Sequence, residues 1–86
     1  MPESYYPKEV EAVQRAINCL RSEDDQSLTT ELQAEQQAAG TSLEWYGITK
    51  NVFERFLASR PLSDKTRAAM RAAVHAVGVI YGSEKA

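Results

Sequence analysis

Apolar residues recur at three- and four-residue intervals along most of this chain, and that period predicts helices rather than strands. The first stripe is Val10, Val13, Ala16, Ile17 and Leu20, which places a helix over residues 8–22. Pro7 suits its first turn, because the missing N–H would be unpaired there in any case. Glu9 and Glu11 favour its positive end and Arg21 its negative end. Tyr5 and Tyr6 are expected to fold back over its first turn. The polar run 22–27 reads as a loop, with Asp25 or Ser27 available to cap a second helix. That helix spans about 28–39 on a thin stripe of Leu28, Leu32, Ala38 and Ala39, and Gly40 is expected to close it in a left-handed conformation.

Thr41 or Ser42 caps a short third helix at 43–46, which Gly47 interrupts. Thr49 then opens a fourth helix to about Ala58, with Val52, Phe53, Phe56 and Leu57 on its buried side. Pro61 restrains Arg60 from helical geometry, so 59–62 is a turn. Ser63 caps a fifth helix over 64–77 carrying Ala69, Met70, Ala73, Val74 and Val77, and Gly78 can end it. Val79, Ile80 and Tyr81 are β-branched or aromatic and read as a short strand or an extended docking segment. The fold class expected is therefore all-α, a bundle of about five helices in a single domain over 1–86.

Composition narrows the function. The chain has 86 residues, enough for one small core. No apolar run approaches the roughly 20 residues that cross a bilayer. The start of the chain lacks a signal-peptide pattern, and Cys19 is its one cysteine, so a cytoplasmic protein is expected. One histidine, His75, and one cysteine give no zinc-ligand spacing. There is no phosphate-cradling glycine loop, nucleophile elbow or EF-hand pattern. The chain reads as a non-enzyme with no metal, no cofactor and no small-molecule substrate. Trp45 reads as a core anchor rather than a stacking platform.

Charge changes the picture further. The formal net charge is −2, but residues 1–46 hold nine acids and three bases, whereas 47–86 hold seven bases and three acids. The halves thus carry −6 and +4. The basic half suggests a face for an anionic partner, although charges also coat solvated helices without further purpose.

Residues 47–79 resemble part of the DNA-binding headpiece of the lactose-repressor family. The resemblance rests on Gly47-Ile48-Thr49, on Arg55-Phe56-Leu57, on Ser63-Asp64-Lys65-Thr66-Arg67, and on the interval from Ala73 to Gly78. It covers about a third of the chain and lacks that family's sugar-binding domain, so small one-domain repressors of plasmids and phages are the nearer functional match. It implies a helix-turn-helix within 28–58 and a recognition helix at 49–58, supported by 63–77. The first helix of that motif is either the segment 39–46 or the helix at 28–39, with 41–46 as an enlarged turn. Thr49, Lys50, Asn51 and Arg55 would then face base edges in the major groove. Arg60, Lys65 and Arg67, with the helix end at Ser63, would hold phosphates. A module of this size reads a single half-site weakly, so a homodimer on double-stranded DNA is expected, joined through Val77 and the tail 78–86 with its Val79, Ile80 and Tyr81, with the first helix as an alternative contact. The competing reading is a protein-binding module, such as an antitoxin-like or phage-encoded inhibitor whose acidic helices mimic nucleic acid.

Overall fold

In the computed structural model, which describes residues 7–85, the chain forms four helices: α1 (Pro7–Arg21), α2 (Gln26–Gln36), α3 (Ser42–Ser59) and α4 (Asp64–Lys85). No strand occurs among the described residues. The expectation for Tyr5 and Tyr6 lies outside them.

Helix α1 follows its stripe. Val13, Ala16, Ile17 and Leu20 are buried, Val10 is half-buried, and Glu9 and Arg21 sit at the favourable ends. Asp25 caps α2 by accepting the Ser27 N–H at 3.0 Å. Only Leu28 and Leu32 of α2 are buried, and the helix stops at Gln36, not at Ala39. Gly40 has no positive φ and is no left-handed cap. It belongs to the next helix start instead, where its N–H donates to the Glu44 carboxylate at 2.7 Å while Thr41 Oγ1 accepts the Glu44 N–H at 3.1 Å. This is a capping box reaching one residue further back than usual.

The five helices expected are four, because 43–46 and 49–58 are one continuous helix, α3, running through Gly47. Gly47 makes no turn. A Cβ at this position would lie 2.2 Å from Tyr81 Oη and 3.2 Å from Tyr81 Cζ. The missing side chain is a notch for the Tyr81 ring, whose hydroxyl donates to the Leu43 carbonyl. Helix α4 likewise continues through Gly78 and Gly82, so Gly78 ends nothing and 79–81 is neither strand nor extended tail. Its apolar stripe explains this: Thr66, Met70, Ala73, Val77 and Ile80 are all buried at three- and four-residue steps. Packing of that stripe overrides the local preferences of glycine and β-branched residues.

The helices pack antiparallel in sequence. Thr66, in the first turn of α4, touches the Cys19 carbonyl near the end of α1. Tyr81 near the end of α4 reaches the start of α3. Gln36 at the end of α2 reaches Thr49, midway along α3. Helix α4 is thus the spine, flanked by α1 and α3, while α2 packs against α1 and α3. Phe53 and Phe56 of α3 fill the centre with Leu20, Leu28, Leu32 and Met70.

The surroundings of these glycines predict opposite effects for three similar substitutions. Gly47→Ala is expected to lower the unfolding free energy by about 1–2 kcal/mol, because overpacking outweighs the gain in helix propensity. Gly78→Ala and Gly82→Ala meet no heavy atom within 4 Å and are expected to stabilise by about 0.5–1 kcal/mol each. Urea unfolding midpoints test this, and adding Tyr81→Phe to Gly47→Ala should recover part of the loss.

Candidate functional site

The residues expected to read DNA do not form one exposed first turn. Thr49 is fully buried, because α3 begins seven residues earlier and Thr49 falls on its core face with Val52, Phe53 and Phe56. Its hydroxyl donates to the Trp45 carbonyl at 2.7 Å and accepts from Gln36 Nε2 at 2.8 Å. A threonine at this place fixes α2 against α3 and has no hydroxyl left for a base edge. Lys50 is half-buried and lies 3.3 Å from Glu54, one turn along the same helix. Asn51 is exposed. Trp45 is half-buried against the core, with Tyr46 edge-on to it at 5.2 Å.

The acidic and basic parts of the sequence meet inside the fold. Arg55 lies 2.9 Å from Glu31 and 3.3 Å from Glu35. Arg60 lies 2.5 Å from the other oxygen of Glu31 and 3.8 Å from Asp25, and its guanidinium sits 5.2 Å above the Phe56 ring. Glu31 and Glu35 are one turn apart on α2, and the antiparallel hairpin of α2 and α3 presents them to the arginines. Their i,i+4 spacing was visible in the sequence, but the register that opposes them to Arg55 was not. Arg67 is half-buried and donates to the carbonyls of Leu57 and Arg60, at 3.2 Å each, where α3 ends. It serves as a cap for α3 in place of a phosphate ligand. Lys65 is exposed, as is Arg71, which the charge count also places in the basic segment.

An acid also occupies the start of α4. The hydroxyls of Ser63 and Thr66 both donate to one oxygen of Glu23, from the α1–α2 loop. Ser63 Oγ receives the Thr66 N–H at 3.4 Å, which makes it the N-cap expected. The helix start expected to hold a phosphate holds a carboxylate of the chain itself. The Thr66 hydroxyl, and after it that of Ser63, hold the Glu23 carboxyl below its ordinary range. Ser27 does the same for Asp25.

Of the residues expected to form the dimer contact, two lie in the core and a third is partly covered. Val77 and Ile80 are core residues, 1% and 4% exposed, and Tyr81 is half-buried in the Gly47 notch. Only Val79 among the described residues is a large exposed apolar side chain. Apolar surface appears elsewhere, along the seam between α3 and α4. There Leu57, Ala58 and Val74 line a shallow groove with Glu54 on the α3 side and Arg71 on the α4 side. Neither period nor motif marked it, because its facing residues, such as Leu57 and Val74, lie 17 positions apart on two different helices. No group of three or more His, Cys, Asp or Glu residues among those described is placed to hold a metal ion, and no described helix is long and apolar enough to cross a membrane.

Glu23 gives the fold a pH dependence of definite sign. Its folded pKa is depressed, so its contribution is complete above the ordinary glutamate value of about 4.3 and is lost as pH falls through the lower folded value. Denaturant unfolding between about pH 7 and pH 3 should show a shallower acid decline for Glu23→Gln than for the unaltered chain, with the part owed to Asp25 remaining. The arginines differ in a second way. Arg60→Ala is expected to cost about 1 kcal/mol, because it removes a ring contact as well as ion pairs, whereas Arg55→Ala should cost under about 0.5 kcal/mol.

No known protein family, no curated protein and no solved structure matches this chain.

Proposed function

We propose that this chain is a helical protein-binding module whose contact surface is the α3–α4 seam. One observation carries the reading: Arg55 and Arg60, two of the residues expected to meet an anionic partner, are matched to Glu31, Glu35 and Asp25 of the same chain. Transferring them to phosphates would first require breaking those pairs and exposing their acids to a polyanion. The seam carries no such cost, since Leu57, Ala58 and Val74 already meet solvent in part. Apolar floor with charged edges is the usual anatomy of a protein contact.

Sequence-specific binding of double-stranded DNA by a homodimer is the second reading. What favours it is the basic excess of residues 47–71, with Lys65 and Arg71 exposed and Asn51 on the solvent side of α3. The two readings part on salt and on which charges matter. The module reading expects no saturable retardation of duplexes from the neighbourhood of its own gene at micromolar protein and near-physiological salt. It further expects Glu31→Gln with Glu35→Gln to create weak, unspecific duplex binding by releasing Arg55. The DNA reading expects saturable binding that falls steeply with salt. Arg60→Ala or Lys65→Ala would then flatten the salt slope by about one unit, and Lys50→Ala or Asn51→Ala would cost about 1–3 kcal/mol on the best site. Saturable, sequence-selective retardation by the unaltered chain would replace the module reading with the DNA one.

A further inference from the structure

The α3–α4 groove has a property that singles out one partner. Its two walls carry opposite charges, Glu54 on α3 and Arg71 on α4, with Leu57, Ala58 and Val74 between them. The two charges do not bridge each other. Among the described residues, Glu54 is paired with Lys50 alone, at 3.3 Å, about half of its side chain remains exposed, and no carboxylate lies within 4 Å of the Arg71 guanidinium. A contact between identical chains must be self-complementary, since each patch meets a copy of itself. Most charged patches fail that condition, because like meets like.

This groove meets it. A two-fold axis running along the groove exchanges its walls, so that each α3 lies over the α4 of the other copy. Glu54 then faces the partner's Arg71, and Arg71 faces the partner's Glu54. The apolar floors meet in the middle. Helices α3 and α4 run antiparallel within one chain, and this axis keeps every stacked pair antiparallel too. The four helices form an antiparallel bundle, an arrangement helices adopt readily around a small apolar seam. On the outer face of α4 next to Arg71, Ala68 and Gly78 are exposed, with His75 one turn further along the helix.

We infer that the partner of the α3–α4 groove is a second copy of this chain, held by an apolar floor and two reciprocal Glu54–Arg71 ion pairs. The inference rests on the protein-binding reading above and names the occupant of that surface.

Light scattering coupled to size-exclusion chromatography, on the full chain at concentrations up to about 1 mM, tests it. The unaltered chain is expected to give the mass of two chains. Glu54→Arg and Arg71→Glu are each expected to give one, by placing like charges together, and Ala58→Arg should do the same by filling the groove. The double variant Glu54→Arg with Arg71→Glu reverses both signs and is expected to restore the dimer. All three positions are exposed, and circular dichroism with thermal unfolding confirms that each variant is folded. A monomeric unaltered chain would overturn the inference while leaving a different protein as the occupant of the groove, so the broader reading would stand or fall on the duplex measurement alone. A dimer that persists in both single variants and in Ala58→Arg, or a double variant that stays monomeric, would also overturn it.

Discussion

The fold depends on α4 remaining a single continuous helix across two glycines. Both α1 and α3 lie against it, and its stripe from Thr66 to Ile80 supplies the surface on which the other helices close. Burial of the side chains along that stripe, each worth roughly 1–3 kcal/mol when apolar and large, offsets the penalty of about 1 kcal/mol for each glycine in a helix interior. Had α4 ended at Gly78, Ile80 and Tyr81 would leave the core, and the start of α3 would lose the partner that holds it.

The junction of α3 with α4 shows how a single pair of residues decides topology. Tyr81 is the wedge and Gly47 the slot, and the hydrogen bond from the ring to the Leu43 carbonyl fixes the depth of the wedge. Glycine is used here for close approach rather than for turning. The same sequence feature, a glycine followed by an aliphatic residue and threonine, therefore supports two incompatible local structures. Only the presence of a large ring 34 positions later chooses between them.

Electrostatics follows the same logic. Residues 1–46 and 47–86 carry opposite net charge, and the fold sets acids of the first against bases of the second. Helix α2, which buries only two leucines, is held in addition by Arg55, Arg60 and the Gln36–Thr49 hydrogen bond. Exposed pairs of this type contribute modestly, but they leave little unbalanced charge on that side of the molecule. The start of α4 is neutralised similarly by Glu23. What remains uncovered is the seam on the opposite side of α3, where apolar and oppositely charged groups lie together.

The sequence by itself determined the all-helical class, the position of α1 to within a residue, the cap at Ser63, the caps of α2 and α3 to a choice of two residues each, and the turn at Pro61. Each of these is set by neighbours within about one helical turn: a stripe of fixed period, a side-chain oxygen near free N–H groups, a ring that restricts φ. It also made the charge asymmetry plain. Tertiary structure alone decided that α3 and α4 run through their glycines, that Thr49 is interior, that Val77 and Ile80 belong to the core, and that the arginines of α3 face the glutamates of α2. These outcomes depend on residues far apart in the chain, and one-dimensional spacing carries no register between antiparallel helices. A glycine or an arginine keeps several local options open, and the element packed against it selects one.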